Sequence, residues 1–196
     1  MVTRAPSGGS VGRAGSSLEG APAWASSGGA SAAGRSGELR TAAALDELAS
    51  RPGGPTVLHD LRIPIRGFRA NIDHVVIAGT TIILIDSKVW RPGFYWTGRR
   101  GTWRGFDRVE HADRRTLDAA RTGLGALLRN QRVPPTTIAR SMLAIWPSHG
   151  RLFTALYRPT DARAVPGPRL SRVLARTLPR ESAHPAIVAA LRPLVR

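Results

Sequence analysis

The sequence predicts an α/β protein of the α+β type, in which helices pack on a mixed central β-sheet. Apolar runs rich in β-branched residues, which are typical of strands, follow one another through the first half of the chain and recur in the second half. Segments with the apolar spacing of amphipathic helices precede, separate and follow these runs. This order of helix, strands, helix, strand and helices is typical of a sheet covered by helices. A chain of 196 residues is expected to bury one sizeable core.

The first helix is predicted over Ser36–Ser50, because Leu39 and Leu45 belong to an apolar stripe and Ser36 can cap the helix. A Pro- and Gly-rich segment at residues 51–55 ends it. Residues 1–35 are rich in Gly, Ala and Ser and lack apolar periodicity, which predicts a disordered tail. The folded domain is therefore predicted over residues 36–196.

The other elements are read from the same two periodicities and from the Gly and Pro residues that separate them. Strands are predicted at Thr56–Leu61, Ile72–Ala78, Thr81–Lys88, Phe94–Trp96, Thr102–Arg104, Ala139–Trp146, Leu152–Tyr157 and Arg163–Val165. Further helices are predicted at Asp113–Arg129, Leu170–Thr177 and Pro185–Val195.

The composition restricts the partners and the chemistry. The formal net charge of +16, from 29 Lys+Arg against 13 Asp+Glu, favours a polyanionic partner, although an arginine-rich composition without such a partner is the alternative. Lys88 is the only lysine. The absence of cysteine excludes disulfides and Cys-based zinc sites. No apolar run reaches the ~18 residues of a membrane span, and the N-terminus lacks the apolar core of a signal peptide, so we expect a cytoplasmic protein without a membrane partner.

Two of the predicted strands form a hairpin that brings charged residues together. Gly79-Thr80 suits a two-residue loop of type II′, which pairs Ala78 with Thr81 and places Asp73 opposite Asp86. Residues directly opposed in this way have Cβ atoms roughly 4.5–5.5 Å apart. Lys88 follows Asp86 by two residues and points to the same face. The open end of the hairpin therefore gathers two carboxylates and one ammonium group.

Two carboxylates this close repel each other, and a divalent cation removes the repulsion. Asp73 and Asp86 are thus candidate ligands of Mg²⁺ or Mn²⁺, and Lys88 is a candidate to orient or deprotonate a water or to stabilise a transition state. The alternative is that the two acids only cap loops at strand ends. Glu38, near the start of the first helix, is a natural third acid, and simple complementarity to the helix dipole is the alternative for it.

Two groups of arginines are candidate nucleic-acid contacts. Arg62, Arg66 and Arg69 precede the hairpin, and Arg99, Arg100 and Arg104 alternate with Trp96 and Trp103. Arginines contact phosphates and tryptophans stack on bases, whereas a solvated basic surface over core tryptophans is the alternative. His74 alternates to the face opposite Asp73 and is expected to be a packed, hydrogen-bonded histidine.

Four motifs occur in a specific order and spacing. They are Gly37-Glu38, Val57-Leu58-His59-Asp60-Leu61, Ile72-Asp73-His74-Val75-Val76 and Ile85-Asp86-Ser87-Lys88-Val89-Trp90. Together they resemble the nuclease-related domain (NERD) family, which is itself similar to the PD-(D/E)xK nuclease superfamily. The resemblance covers about Ser36 to Trp103 and implies a restriction-endonuclease-like αβββαβ core.

By this resemblance, Glu38 matches the acid of the first helix, Asp73 the first strand acid, Asp86 the second acid and Lys88 the lysine of the family pattern. The implied activity is metal-dependent phosphodiester cleavage of DNA. Two other hypotheses remain, namely a nucleic-acid-binding protein of this fold that does not cleave and a scaffold that binds a partner protein. Homodimerisation, as a means of cutting both strands of a duplex, is left open by the sequence.

Overall fold

A computed structural model describes residues 8–15, 30–64, 71–113 and 117–196, with the backbone alone for residues 30, 31 and 113. The strands are β1 (Ser10–Val11), β2 (Thr56–Leu61), β3 (Ile72–Ala78), β4 (Thr81–Trp90), β5 (Gly93–Gly98), β6 (Gly101–Arg104), β7 (Asp107–Arg108), β8 (Thr137–Ile138), β9 (Met142–Pro147), β10 (Leu152–Leu156) and β11 (Arg163–Pro166). The helices are α1 (Ala30–Ala49), α2 (Leu117–Arg129), α3 (Leu170–Thr177) and α4 (Pro185–Leu191), with 3-10 turns at Glu110–Asp113, Gly167–Arg169 and Arg192–Leu194.

The larger sheet is mixed, as predicted. Its strands follow the order β1-β2-β3-β4-β9-β11, and β8 pairs with the start of β4. The pairs β2–β3 and β3–β4 are antiparallel, whereas β1 pairs with β2, β9 with β4 and β11 with β9 in parallel. The sequence of α1, β2, β3, β4, α2 and β9 matches the predicted αβββαβ order.

Residues of β3 and β4 alternate between two apolar cores, one on each face of the sheet. Val76, Ile83 and Ile85 pack in a cluster with residues of α1 and α3. Val75 and Leu84 belong to a second cluster, to which α2 and α4 contribute. Each such branched side chain contributes roughly 1.5–3 kcal/mol when fully buried. Because both faces are covered, the register of the hairpin is fixed by burial as well as by its turn.

The smaller sheet has the order β10-β5-β6-β7 and follows directly on β4. Its inner face is attached to the larger sheet by aromatic contacts. The ring of Trp90, the last residue of β4, stacks on Tyr95 with centroids 4.6 Å apart and meets Tyr157 edge-on at 5.0 Å. These contacts fasten the smaller sheet to the end of the strand that carries Asp86 and Lys88.

The N-terminal region differs from the prediction in two places. Helix α1 begins at Ala30, six residues before the predicted cap Ser36, and Ser10–Val11 form a strand beside β2. Both differences lie within residues 1–35, which were predicted to be a disordered tail. Of that stretch, residues 1–7 and 16–29 lie outside the described residues. Leu39 is 48% exposed rather than part of the apolar stripe. At about 100° per residue Leu39 lies about 120° around the helix from Leu45, whose face meets the sheet.

The C-terminal helix is shorter than predicted. Helix α4 ends at Leu191, and a 3-10 turn over Arg192–Leu194 replaces the rest of the predicted Pro185–Val195 helix. Pro193 lacks the backbone N–H that an α-helix needs at this position. Among the described helices, none combines the length and the apolar character needed to cross a membrane.

Candidate active site

The hairpin register is the one predicted from Gly79-Thr80. Ala78 pairs with Thr81, and the ladder continues to the pair of His74 with Ile85. Gly79 has φ of +53°, and among the described residues Asp60 alone combines a side chain with a positive φ, so Thr80 has the negative φ of a type II′ turn. The next step of the ladder brings Asp73 opposite Asp86, which confirms the predicted register.

Three charged side chains meet at the open end of this hairpin. Oδ2 of Asp73 accepts a hydrogen bond of 2.7 Å from the backbone N–H of Ser87, the residue that follows Asp86. Lys88 Nζ lies 2.5 Å from Asp86 Oδ2. The Asp86 side chain is 16% exposed and that of Lys88 is 44% exposed. The site is therefore semi-enclosed, with the ammonium group at its mouth.

Helix α1 adds Glu38 to the same place. Glu38 precedes Leu45 by seven residues, about two helical turns, so it extends the stripe of α1 that faces the sheet. The helix can approach β4 closely here because a Cβ on Gly37 would collide with the Val89 side chain. Burial raises the pKa of Glu38 to about 7, and Asp60 and Asp86 add repulsion, whereas Lys88 and the backbone N–H of Gly15 oppose the rise.

The neighbouring carboxylates raise the pKa of both Asp73 and Lys88, which favours the neutral form of the acid and the charged form of the lysine. Burial raises the pKa of Asp73 well above its usual range, and the negative charges of Asp86 and Glu38 raise it further. For Lys88, burial alone would lower the pKa, but the attraction of Asp86, Asp73 and Glu38 outweighs it and raises the pKa. The carboxylates thus repel one another, and the lysine is held as a cation.

Asp60 is an acidic residue that the sequence did not assign to this group. It lies near the end of β2, and its charge is the second largest cause of the raised pKa of Glu38. Asp60 is 3% exposed, adopts φ of +53° and accepts a 2.7 Å hydrogen bond from Asn71 Nδ2. Asp and Asn tolerate the left-handed region better than most residues. This tolerance, in an Asp at a strand end, was the signal available in the sequence.

A buried hydrogen-bond network on the opposite face of the sheet aligns α1 with these strands. Ser87 Oγ donates to Thr41 Oγ1 at 2.9 Å and lies 3.2 Å from His74 Nε2. His74 Nδ1 lies 2.8 Å from His59 Nδ1, and His59 Nε2 lies 3.0 Å from Asp46 Oδ1 on α1. The prediction of a packed, hydrogen-bonded His74 is confirmed. Burial lowers the pKa of His74 well below its usual range, and repulsion from His59 lowers it further.

The donor set of the site suits a hard divalent cation. Among the residues that the structure describes, no three His, Cys, Asp or Glu side chains are grouped closely enough to hold a metal ion together. Mg²⁺ in proteins is usually bound by only one or two carboxylates, with waters and substrate phosphates completing the octahedron. Asp73 and Asp86 provide two carboxylates. Burial is the main cause of the raised pKa of Asp73, and a cation would neutralise the negative charges of Asp86 and Glu38 that raise it further.

The predicted arginine contacts separate into different locations. Arg62 is exposed beyond the end of β2, and Arg99 and Arg100 are exposed in the turn between β5 and β6. Arg104 faces inward, bonds Asp107 at 3.0 Å and contacts Tyr95. The predictions for Arg66 and Arg69 lie outside the described residues.

A cleft lies next to Lys88 along strand β4. It has a volume of about 680 Å³, and its lining includes Trp90, Arg91, Arg104 and Arg108. Trp90 is 4% exposed, and its Nε1 has no hydrogen-bond acceptor in the described part of the chain. The cleft thus begins at Val89, the residue after Lys88, and its charged lining combines the three arginines with Asp107 and Glu110.

Comparison with known proteins agrees with the motifs and the geometry. The sequence model of one family, the nuclease-related domain, matches residues 33–132, a segment that runs from α1 through α2 and contains all four predicted site residues. No curated protein and no solved structure matches the chain. The matched segment covers half of the sequence. The chain therefore belongs to the nuclease-related domain family.

Proposed function

We propose that this protein is a metal-dependent nuclease that hydrolyses phosphodiester bonds of DNA. The observation that carries the proposal is the convergence of Glu38, Asp73, Asp86 and Lys88, from three different elements, at the open end of the β3–β4 hairpin. Like charges brought together by folding are unfavourable, so their convergence favours a functional site over incidental strand-end acids.

Asp73 and Asp86 would hold Mg²⁺ or Mn²⁺ through their carboxylate oxygens, with Glu38 acting directly or through a water. When bound, such an ion neutralises charge on a phosphate and makes a coordinated water more acidic. The backbone N–H of Ser87 fixes the orientation of the Asp73 carboxylate through the 2.7 Å bond. Because the donor is a backbone N–H of β4, the position of the Asp73 carboxylate does not depend on the rotamer of another side chain.

Lys88 would act as a cation rather than as a base, because its pKa is raised. A protonated amine cannot accept a proton, but its N–H groups can donate to a phosphate oxygen or orient a water. In the hydrolysis, the attacking water gives up a proton as its oxygen bonds to phosphorus. The bond from phosphorus to one sugar oxygen breaks, and that oxygen takes up a proton, so the two proton transfers balance. Lys88 Nζ would stabilise the negative charge that builds on the phosphate oxygens.

The electrostatics of the chain support DNA as the substrate. The net charge is +16, and the lining of the cleft that begins at Val89 includes Arg91, Arg104 and Arg108 as well as Asp107 and Glu110. Positive charge along a cleft concentrates a polyanion there and accelerates its association. Such binding weakens with salt, because each phosphate contact releases counterions.

A second candidate function, DNA binding without cleavage, is favoured by one observation. Lys88 already lies 2.5 Å from Asp86, and no group of three potential metal ligands is preformed among the described residues. In this alternative, the lysine neutralises the acids in place of a metal. The basic surface alone would then provide the function.

Plasmid cleavage distinguishes the two functions. Supercoiled DNA is incubated with Mg²⁺, with Mn²⁺ or with EDTA and with the wild type, Asp86→Ala or Lys88→Ala. Asp118→Asn, which removes a half-exposed acid on α2, is the control. The proposal expects metal-dependent nicking by the wild type and the control, and losses of at least 100-fold in both site variants, on the order of what an electrostatic catalytic group contributes.

Equal cleavage by all four proteins would disprove the assignment of the site. If none of them cleaves while each binds DNA in a salt-dependent manner, the non-catalytic function is supported instead. Thermal unfolding of each variant, measured in EDTA, identifies losses of activity that arise from unfolding.

A further inference from the structure

The smaller sheet exposes an aromatic face that the proposed site does not use. Phe94 is 44% exposed and pairs with Phe153, which is 54% exposed. Trp96 pairs with Trp103 across β5 and β6, and their rings stack with centroids 5.9 Å apart and planes within 15°. Leu156, opposite Trp96 on β10, is 54% exposed. These five residues form what we call the outer face.

Strand alternation explains why the outer face is free of the core. Tyr95 and Thr102, which alternate with the outer-face residues, are 2% and 1% exposed and point inward. Trp96 is held in place because its Nε1 donates to the carbonyl of Gly105 at 2.9 Å. Beside it, Phe106 at the tip of the β6–β7 turn is 98% exposed. A contiguous exposed apolar surface of this kind marks an interaction site.

The charges around the outer face indicate what it binds. Arg99 and Arg100 are exposed at one end of the sheet, in the β5–β6 turn, and Arg151 and Arg158 are exposed at the two ends of β10. A second copy of the chain packed on this face would bring a second set of these arginines to the same interface. A polyanion with flat apolar surfaces complements both features, and unpaired nucleic-acid bases on a phosphate backbone have that chemistry.

We propose that the outer face is a stacking surface for unpaired bases, so that the protein binds nucleic acid with single-stranded segments. The inference rests on the proposed function in taking nucleic acid as the partner, but it requires no cleavage. The Trp96–Trp103 pair and the Phe94–Phe153 pair provide flat rings, and the surrounding arginines contact phosphates. Stacking tolerates every base, so the surface selects unpaired over paired DNA rather than a sequence.

Binding is measured by fluorescence anisotropy in the Asp86→Ala background with EDTA, so that cleavage plays no part. The probes are an oligothymidine of about 20 nucleotides, long enough for several stacked bases, and a blunt duplex of equal length. The outer-face variant is Phe94→Leu/Phe153→Leu, which keeps apolar bulk but removes both rings. Its matched partner is Phe94→Trp/Phe153→Trp, which keeps aromatic surfaces.

We expect the leucine variant to bind oligothymidine about tenfold more weakly, the tryptophan variant to bind it at least as tightly as the parent, and duplex binding to change little. The charge pair Arg99→Ala/Arg100→Ala weakens binding of both probes. Its control, Arg172→Ala/Arg176→Ala on the exposed face of α3, removes the same charge elsewhere and leaves both nearly unchanged.

Oligothymidine binding by the leucine variant within about twofold of the parent overturns the proposal, because stacked rings contribute more than this. The proposal also fails if sedimentation shows that the parent self-associates, that the leucine variant does not, and that their oligothymidine affinities agree; the face then binds a second copy. Loss of oligothymidine binding in the leucine variant, together with a wild type that cleaves no plasmid, supports the stacking surface and refutes the nuclease alone. Plasmid cleavage by the wild type, together with unchanged oligothymidine binding by the leucine variant, supports the nuclease and refutes the stacking surface.

Discussion

Replacing Glu38 by Gln is expected to change how the stability of the metal-free protein depends on pH. In the folded state the pKa of Glu38 is raised to about 7 from an ordinary 4.5, first by burial and then by the charges of Asp60 and Asp86. Between these two values the folded state binds more protons than the unfolded state. The free energy of unfolding therefore falls as the pH rises through this range, and the loss is complete above pH 7.

The size of the effect follows from the shift. Each pKa unit corresponds to about 1.36 kcal/mol, so a rise from 4.5 to about 7 corresponds to at most ~3.4 kcal/mol. The Glu38 carboxylate is only partly buried, and solvent screening reduces this to about 1–2 kcal/mol. Glutamine lacks the titration, so Glu38→Gln should gain about 1–2 kcal/mol over the wild type between pH 4.5 and pH 8.

The assay is urea unfolding followed by tryptophan fluorescence in EDTA, at pH 4.5, 6 and 8. The difference between the two proteins is compared at each pH, because other groups that titrate in both then cancel. Glu47→Gln, which removes an exposed carboxylate on the same helix paired with Arg51, is the control and should stay parallel to the wild type. Parallel curves for Glu38→Gln and the wild type would refute the placement of Glu38 in a crowded acidic site.

Four other predictions test the surroundings of this carboxylate. Asp73→Asn removes a carboxylate whose pKa is raised well above its usual range, so in EDTA at pH 8 it should raise the urea midpoint while abolishing plasmid cleavage; a lower midpoint would contradict the repulsion. Lys88→Arg keeps the charge but replaces a compact ammonium by a planar fork, and at least tenfold slower cleavage at an unchanged melting temperature is expected, whereas full activity would show that any cation suffices. Thr41→Val leaves the buried donors Ser87 Oγ and Trp146 Nε1 without their acceptor, so the free energy of unfolding in urea should fall by about 1–3 kcal/mol. An unchanged free energy of unfolding would show that these hydrogen bonds do not hold α1 on the sheet. Burial and the nearby His59 lower the pKa of His74, so at a pH below its ordinary pKa of 6.5 the histidine takes up a proton when the protein unfolds. The free energy of unfolding should therefore fall as the pH drops from 6.5 to 5, and His74→Gln should reduce this dependence in the same assay.

The part of the site that was predictable from sequence is the part determined by local geometry. A two-residue loop at Gly79-Thr80 fixes the register of the hairpin, and strand alternation then places Asp73, Asp86 and Lys88 without reference to the rest of the chain. The strand bounds of β2 and β3 were likewise predicted, because their apolar runs end at Pro, Gly or polar residues.

The remaining features depend on contacts between distant segments. Strand β10 pairs in parallel with β5, and no local pattern in Leu152–Leu156 identifies that partner, so the sequence did not place Phe153 and Leu156 beside the predicted tryptophans. The strand at Ser10–Val11 has two residues and is defined by its pairing with β2 rather than by composition. Asp60 lies in β2 between the pairs His59–His74 and Leu61–Ile72, which places it opposite Asp73, and this pairing joins two separate strands.

The tripeptide Asp86-Ser87-Lys88 joins the chemistry of the site to the core. Alternation sends the two charged side chains to one face of β4 and the serine hydroxyl to the other, where it bonds Thr41 on α1. Thr41 follows Glu38 by three residues on the same helical stripe, so the bond that fixes Thr41 also fixes the approach of Glu38. The backbone N–H of Ser87 meanwhile holds Asp73. One residue without a charge of its own therefore sets the positions of acids from two other elements, and this explains how mutually repelling carboxylates remain together in the folded chain.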